Sequence, residues 1–319
     1  MQKWMLIYPD HAETGSAALF SEWKKNPQSI LWVDIEGKAE EADSKLLHEM
    51  LGLPDSEIKD ALRERHPPRF NGTEDHLFLL LKPLDSDSHT IDFKTQQMAI
   101  FAGKNFIVTR HNRKSSYLET LWKNPMLLDR YIEPYQMVAL LAQRMVTRYG
   151  TILLELEERL DVLEDELMED LNETHMQELV NYNTSLRKMR RILNYHVVVT
   201  SQLTRYASKH GLQEWFEEYE DIAEQAERFN SLSELYQNVI NDLIEGYISL
   251  NSHHLNQVMK VLTVVTVVFL PLSLLVGIYG MNFEYIPELK AHNGYFILLS
   301  VMGGIVLALV LIFKRMKWL

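Results

Sequence analysis

Residues 261–279 form a run of 19 without a charged side chain, and residues 295–313 form a second run of the same length and kind. At 1.5 Å per helical residue each reaches about 29 Å, close to the roughly 30 Å hydrocarbon thickness of a bilayer, so each can span. A buried core helix in a soluble protein gives the same signal singly. Two such runs separated by 15 residues near the C-terminal end point instead to a membrane hairpin that follows a polar body.

Basic residues set the expected orientation. Lys260 stands just before the first run and Lys314, Arg315 and Lys317 just after the second, while the connector holds Lys290 against Glu284 and Glu288. By the positive-inside tendency both termini are expected in the cytoplasm, and the expected membrane is the inner (plasma) membrane of the cell, a placement that the charges by themselves do not give. No secretory signal is read near the start, because the apolar residues around Trp4 and Tyr8 are few and are stopped by Pro9 and Asp10. A formal charge of -12 argues against nucleic acid as a partner and suits cations. The chain has no cysteine, which rules out disulfides, thiolate zinc sites and thiol catalysis.

Within residues 1–112, segments 30–35, 76–81, 97–101 and 106–109 read as strands, separated by turn residues such as Gly37, Asn71-Gly72 and Gly103-Lys104. Segments 40–50 and 56–65 have helical spacing, the second ended by Pro67 and Pro68. This is an α+β pattern. From Ser115 onward strand signals vanish. Residues 155–170 hold nine carboxylates against Arg159, with Ile152, Leu156, Leu160, Leu163 and Leu167 as an apolar stripe. That acidic face is either a solvated surface or one that attracts divalent cations. Another helix is expected at 173–208, halted near Gly211.

A third segment recurs every seven residues at Ile222, Phe229, Tyr236, Leu243 and Leu250, with Leu232 and Val239 between them as d-type positions. No proline interrupts it before Pro271, so residues 217–279 read as one helix, about 95 Å long. Such a rod needs other helices, other copies of the chain, or both to cover its seam.

Two spans cannot enclose a wide hydrophilic path alone, so transport requires several copies around an axis. On the first span Asn256, Met259, Leu262, Thr266, Leu270, Ser273 and Gly277 share a face on which polar and small residues alternate with apolar ones. The face fits a pore with narrow apolar rings, or else Thr266 and Ser273 bond back to their own helix and the stripe packs. The remaining faces, through Val261, Val265, Val268, Leu272 and Leu275, are apolar. The absence of charge within the span disfavours a proton relay.

Tyr279, Gly280, Met281, Asn282 and Phe283, followed by Glu284, Pro287, Glu288 and Leu289, resemble the signature and external loop of the CorA family of divalent metal ion transporters. Residues 258–262 and the terminal Lys317, Trp318 and Leu319 are also similar to that family, and a weaker likeness reaches upstream through His66, Pro67 and Pro68. A Gly-Met-Asn triplet is weak alone and specific when placed between two spans at the C-terminus. The resemblance implies a funnel-shaped homopentamer. Its parts are a cytoplasmic α+β domain (1–112), a cytoplasmic helical region (113–211), a stalk helix (212–260), a pore-lining first span (261–280), an external loop (281–294), a second span (295–313) and a basic cytoplasmic tail (314–319).

It further implies passage of hydrated Mg²⁺, with Gly280, Met281 and Asn282 at the pore mouth and Glu284 and Glu288 concentrating cations on the loop. Mg²⁺ dehydrates reluctantly, so neutral oxygens that hold its water shell can select it without stripping it. Control by intracellular metal is implied at Asp87, Asp221 and Glu245. Zn²⁺, Co²⁺ or Ni²⁺ transport, proton-coupled or outward, is the alternative within the same superfamily; the loop here keeps both glutamates, whereas Gln96-Gln97, Ile286 and Leu270 depart from common family residues. No cofactor is expected beyond transported or regulatory divalent cations. Enzymatic chemistry is not expected: no phosphate-binding glycine loop, nucleophile and base pair or zinc-spaced cluster is present, and His253-His254 diverge by about 100° on a helix. A membrane-anchored scaffold is the remaining alternative.

Overall fold

Seven short strands make one mixed sheet whose two faces are both covered, and this explains the continuous apolar runs that mark its centre. The computed structural model describes residues 1–63, 66–124, 126, 127, 130, 131, 133–170, 172–282, 286 and 292–318. Strands β1 (Gln2–Ile7), β2 (Ala12–Gly15), β3 (Ile30–Glu36), β4 (Arg69–Gly72), β5 (His76–Leu81), β6 (Met98–Gly103) and β7 (Phe106–His111) lie in the order β2-β1-β3-β7-β6-β5-β4. Only β3 and β7 pair in parallel; the other ladders are antiparallel. Every residue of β5 and β6 is buried, so neither strand shows the alternation of a half-wet sheet.

Helices α1 (Leu19–Lys25), α2 (Glu41–Lys45) and α3 (Asp55–Leu62) cover one face. There Leu6, Val33, Phe78, Phe101 and Val108 pack with Leu47, Leu53 and Ile58. The helix expected at 40–50 is divided: α2 gives way to a π-helical turn at Leu46–Met50. The opposite face is covered by α4 (Ser116–Lys123), α5 (Pro134–Glu169) and α6 (Glu173–Lys209). Trp32 of β3 meets Trp122 of α4 with ring centroids 4.6 Å apart. Tyr149 of α5 donates its hydroxyl to the Lys82 carbonyl at 2.7 Å, and Tyr206 of α6 donates to the Thr73 carbonyl at 2.9 Å.

Two corrections concern strands. The residues from Trp4 to Ile7, noted in the sequence only as too short for a signal peptide, are buried in β1 beside β3. Past Ser115 two further strands do occur, β8 (Met126–Leu127) and β9 (Arg130–Tyr131), paired with each other. Two residues are too few to show a period.

Helix α7 (Phe216–Tyr279) runs without interruption for 64 residues. Its seam differs from the heptad reading: Tyr219, Ile222, Ala226, Ser233, Tyr236 and Ile240 are buried, whereas Leu232 and Val239 are only half-buried and Leu250 is exposed. In a straight helix, position i+4 is displaced by about 40° and i+3 by about 60°, so the buried stripe takes Ser233 and Ile240 over the residues just before them. The helix docks on α5 where Gly150 faces Phe229; a Cβ at residue 150 would lie 2.2 Å from that ring. Tyr219 adds a hydrogen bond to the Tyr135 carbonyl at 2.7 Å. Last comes α8 (Gly294–Arg315). The chain divides into two compact units, Met1–Ile244 and Glu245–Leu319, with the boundary inside α7.

Candidate ion pathway

The valine-rich run that begins at Val261 is a poor helix former in water. Within a bilayer the backbone must satisfy its own hydrogen bonds, which makes helix the only open structure available to it. The C-terminal part of α7 and all of α8 are each long and apolar enough to cross a membrane. Pro271 sits inside α7 and lacks the N–H that would bond the Val267 carbonyl.

Exposure divides the first span lengthwise. Val264, Val268, Pro271, Leu272, Leu275 and Tyr279 are half-buried. All seven residues expected to line a pore are exposed: Asn256, Met259, Leu262, Thr266, Leu270, Ser273 and Gly277. At about 100° per residue the centres of the two stripes are about 180° apart. Within this unit, then, the face that mixes polar and apolar residues is exposed along its whole length, as are the flanking Val265, Phe269, Leu274 and Ile278. On α8 the half-buried stripe is Leu298, Met302, Ile305, Val306 and Leu309, and it ends at buried Phe313, whose ring stacks on Trp318 at 5.9 Å.

Thr266 donates its hydroxyl to the Leu262 carbonyl at 2.8 Å, as does Thr263 to Met259 at 2.7 Å. The back-bonding foreseen for Thr266 is therefore present. It also leaves the Thr266 oxygen as an acceptor on an exposed face, the polarity that the outward hydrogens of a hydrated cation require.

The helix ends at Tyr279 and the signature follows at once. Gly280 donates its N–H to the Val276 carbonyl at 2.9 Å, Met281 donates to Ile278 at 3.3 Å, and Asn282 lies exposed beyond them. A Cβ at residue 280 would come within 2.9 Å of the Val276 oxygen, so this turn fits glycine. Glu284 and Glu288 fall outside the described residues.

The three carboxylates expected to bind regulatory metal are exposed, Asp87 in the turn after β5 and both Asp221 and Glu245 on α7, 24 residues apart. Among the described residues the chain by itself gathers no group of metal-ligating side chains that includes any of the three. It gathers a set that sequence reasoning missed, Asp34 and Glu36 on β3 with His111 on β7, whose ligand atoms lie within 4.8 Å of one another. Parallel pairing of Glu36 with His111 is the register that brings them together, and the Asp-x-Glu alternation was its trace in the sequence. Lys3 already supplies a cation there, 3.3 Å from Glu36 and 3.7 Å from Asp34. His111 bonds Asp34 at 3.0 Å and the Arg113 carbonyl at 2.5 Å. Burial pulls the His111 imidazolium down, and the Asp34 carboxylate and Arg113 carbonyl more than offset it, raising the group above the usual histidine value. We read this as a closed ionic network.

A sheet domain followed by three long helices, the third of which ends in one apolar span with α8 as the other, defines the architecture of a two-span membrane protein. The family described as "CorA-like Mg2+ transporter protein" matches residues 27–315, and the chain belongs to it. Among relatives, the cobalt/magnesium transport protein CorA of Thermotoga maritima is 27% identical over 292 residues, covering 90% of this chain and 83% of that protein. The complete structure of the CorA magnesium transporter from Methanocaldococcus jannaschii superimposes with a TM-score of 0.79 at 23% identity, covering 99% of this chain and 98% of that one. The full-length CmaX protein gives a TM-score of 0.81 at 20% identity, covering 100% and 98%. These two structural likenesses bear on the fold.

Proposed function

We propose that this chain assembles as a homopentamer in the plasma membrane, both termini in the cytoplasm, and passes hydrated Mg²⁺ down its electrochemical gradient. The observation that carries the reading is the uncovered stripe from Asn256 to Gly277, which lies opposite the half-buried face of α7 and leads directly to Gly280, Met281 and Asn282. Five such stripes around an axis give rings of neutral oxygens from Asn256, Thr266 and Ser273 separated by apolar rings of Met259, Leu262 and Leu270. Apolar constrictions exclude water when narrow and so close the path.

At the outer end, five copies of the Gly280 carbonyl and the Asn282 amide hold the water shell of the ion. Mg²⁺ keeps several waters in most sites, so an arrangement of neutral oxygens suits it better than a cage of carboxylates. Glu284 and Glu288 raise the local cation concentration. Each charge gains about 2.3 kcal/mol per 100 mV of inward-negative potential, and a divalent ion twice that, which drives uptake without nucleotide hydrolysis. Asp87, Asp221 and Glu245 bind Mg²⁺ between neighbouring subunits and hold the closed state. The cobalt in the relative's name makes Co²⁺ the first competing ion to test, with Zn²⁺ and Ni²⁺ next.

The test is uptake into vesicles carrying the purified chain and an internal Mg²⁺ indicator, with and without a pH gradient. Uptake that follows the Mg²⁺ gradient and is lost in Asn282→Ala is the expected result. Unchanged uptake in that variant, or a monomer in the reconstituted sample, removes the reading. Zn²⁺ flux that requires the pH gradient, with no Mg²⁺ flux, reassigns the ion.

A further inference from the structure

In a chain whose 44 acidic residues outnumber its 32 lysines and arginines, a surface cavity should be lined by carboxylates at least as often as by cations. One cavity in the first unit is the reverse. It measures about 760 Å³ and is lined by six cations, Lys38, Lys82, Lys94, Arg113, Lys188 and Arg191, with no carboxylate among the lining residues. The other four contributors, Thr95, Gln96, Gln97 and Asn112, are neutral hydrogen-bonding residues.

Topology places it at a sheet edge. β3, β5 and β7 all point the same way, and Lys38, Lys82 and Arg113 stand just past their C-terminal ends, the edge where open sheets flanked by helices receive ligands. Lys94 belongs to the segment entering β6, while Lys188 and Arg191 are three apart on α6 and share one face. Lys188 is held in position by the Phe93 carbonyl at 2.7 Å and by the ring of Phe93 at 4.4 Å. Arg113 pairs with Asp85. Lys38, Lys94 and Arg191 make no ion pair among the described residues. The neighbouring Arg190 is used differently, binding Glu234 of α7 at 2.6 Å. The basic run of α6 is thus divided between one face that joins helices and one that faces the cavity.

Cations gathered this way repel one another unless an anion neutralises them, and guanidinium and ammonium groups match phosphate oxygens. The volume exceeds what one phosphate fills and falls in the range of about 300–1,000 Å³ of small-molecule sites. No aromatic residue lines it, so nothing stacks on a base. We propose that this cavity binds a soluble polyphosphate, the triphosphate chain of a nucleotide or an inorganic chain, through Lys38, Lys94, Arg113, Lys188 and Arg191.

The experiment uses the full chain in detergent with no divalent ion present, titrated with inorganic tripolyphosphate, ATP and orthophosphate. Because it reads binding and not flux, it stands apart from the transport reading. Tripolyphosphate and ATP should bind within a few-fold of each other and at least about tenfold more tightly than orthophosphate. The exposed double variant Lys94→Glu/Arg191→Glu should lose at least about tenfold in affinity, Lys38→Gln/Lys94→Gln a smaller part, and Lys25→Glu on α1 nothing. No binding by the native chain at millimolar tripolyphosphate overturns the proposal, as does ATP binding without tripolyphosphate binding or an equal loss in Lys25→Glu. A peptide of residues 155–170 that displaces tripolyphosphate at lower concentration also overturns it, in favour of an acidic segment from a second copy.

Discussion

His111 and His196 differ in charge inside the same unit, the first held as an imidazolium and the second held neutral. Both neighbours of His111, the Asp34 carboxylate and the Arg113 carbonyl, accept hydrogen bonds, so both ring nitrogens hold protons. Its folded pKa lies above the ordinary 6.5, so its stabilisation is complete below that value and is lost as pH rises through the raised one. His196 is fully buried and takes the Lys82 N–H on Nε2 at 3.2 Å. Burial, helped by the charge of Lys82, lowers it to about 3. Its stabilisation is present above the ordinary 6.5, declines as pH falls below that, and is lost by the folded value. The melting temperature of the purified chain should therefore peak near pH ~6.5. His111→Gln should flatten the alkaline limb and His196→Gln the acid limb, since glutamine keeps an acceptor for Lys82. Melting curves unchanged in shape by both substitutions would rule this out. Neither histidine stood out in the sequence, because partners 77 and 114 residues away have no local trace.

At the scale of elements, a glycine in the middle of α5 governs how α7 docks. Gly150→Ala should gain up to about 1 kcal/mol of helix propensity and lose about 1–3 kcal/mol to the collision with Phe229, a net loss of stability. Gly150→Ala/Phe229→Leu should recover part of it, because the smaller side chain vacates the place of the new methyl. A double variant no more stable than Gly150→Ala alone would show that the contact does not limit packing. This docking also shows what the sequence holds and what it withholds. Long apolar stripes and turn residues place α6 and α7 to within a few residues and α5 only at its C-terminal end, since those signals are summed over many positions and sequence reasoning traced no such stripe back to the start of α5 at Pro134. The burial of Ser233 in preference to Leu232 depends on which neighbour α7 meets, and β1 is recognisable only once β3 is beside it. In the same way the exposed face from Asn256 to Gly277 could be read from period alone, whereas its position opposite the half-buried stripe needed the fold.

For the whole molecule, the proposed pentamer would multiply a formal charge of -12 fivefold, a problem of repulsion that divalent ions can solve. Salt screens charges beyond about 8 Å under physiological conditions, so the carboxylates that matter are those within contact distance across a subunit boundary. Asp221 is exposed on α7 inside the first unit, and Asp87 is exposed in the turn after β5. An ion bridging such residues from adjacent copies replaces a repulsion with two attractions and favours the arrangement in which they meet. On the proposed reading, occupancy would follow internal Mg²⁺, and the closed population would rise as the ion accumulates and fall as it is depleted. Removing one partner leaves one of the two attractions and abolishes the pairwise repulsion that the ion relieved. Asp221→Ala should then need several-fold more Mg²⁺ to protect α7 from protease and to slow uptake, while cross-linking still gives five copies. Asp221→Asn should behave the same way, which separates loss of charge from loss of packing. If both variants close at the native Mg²⁺ concentration, the bridge lies elsewhere, and Glu245 becomes the residue to replace next.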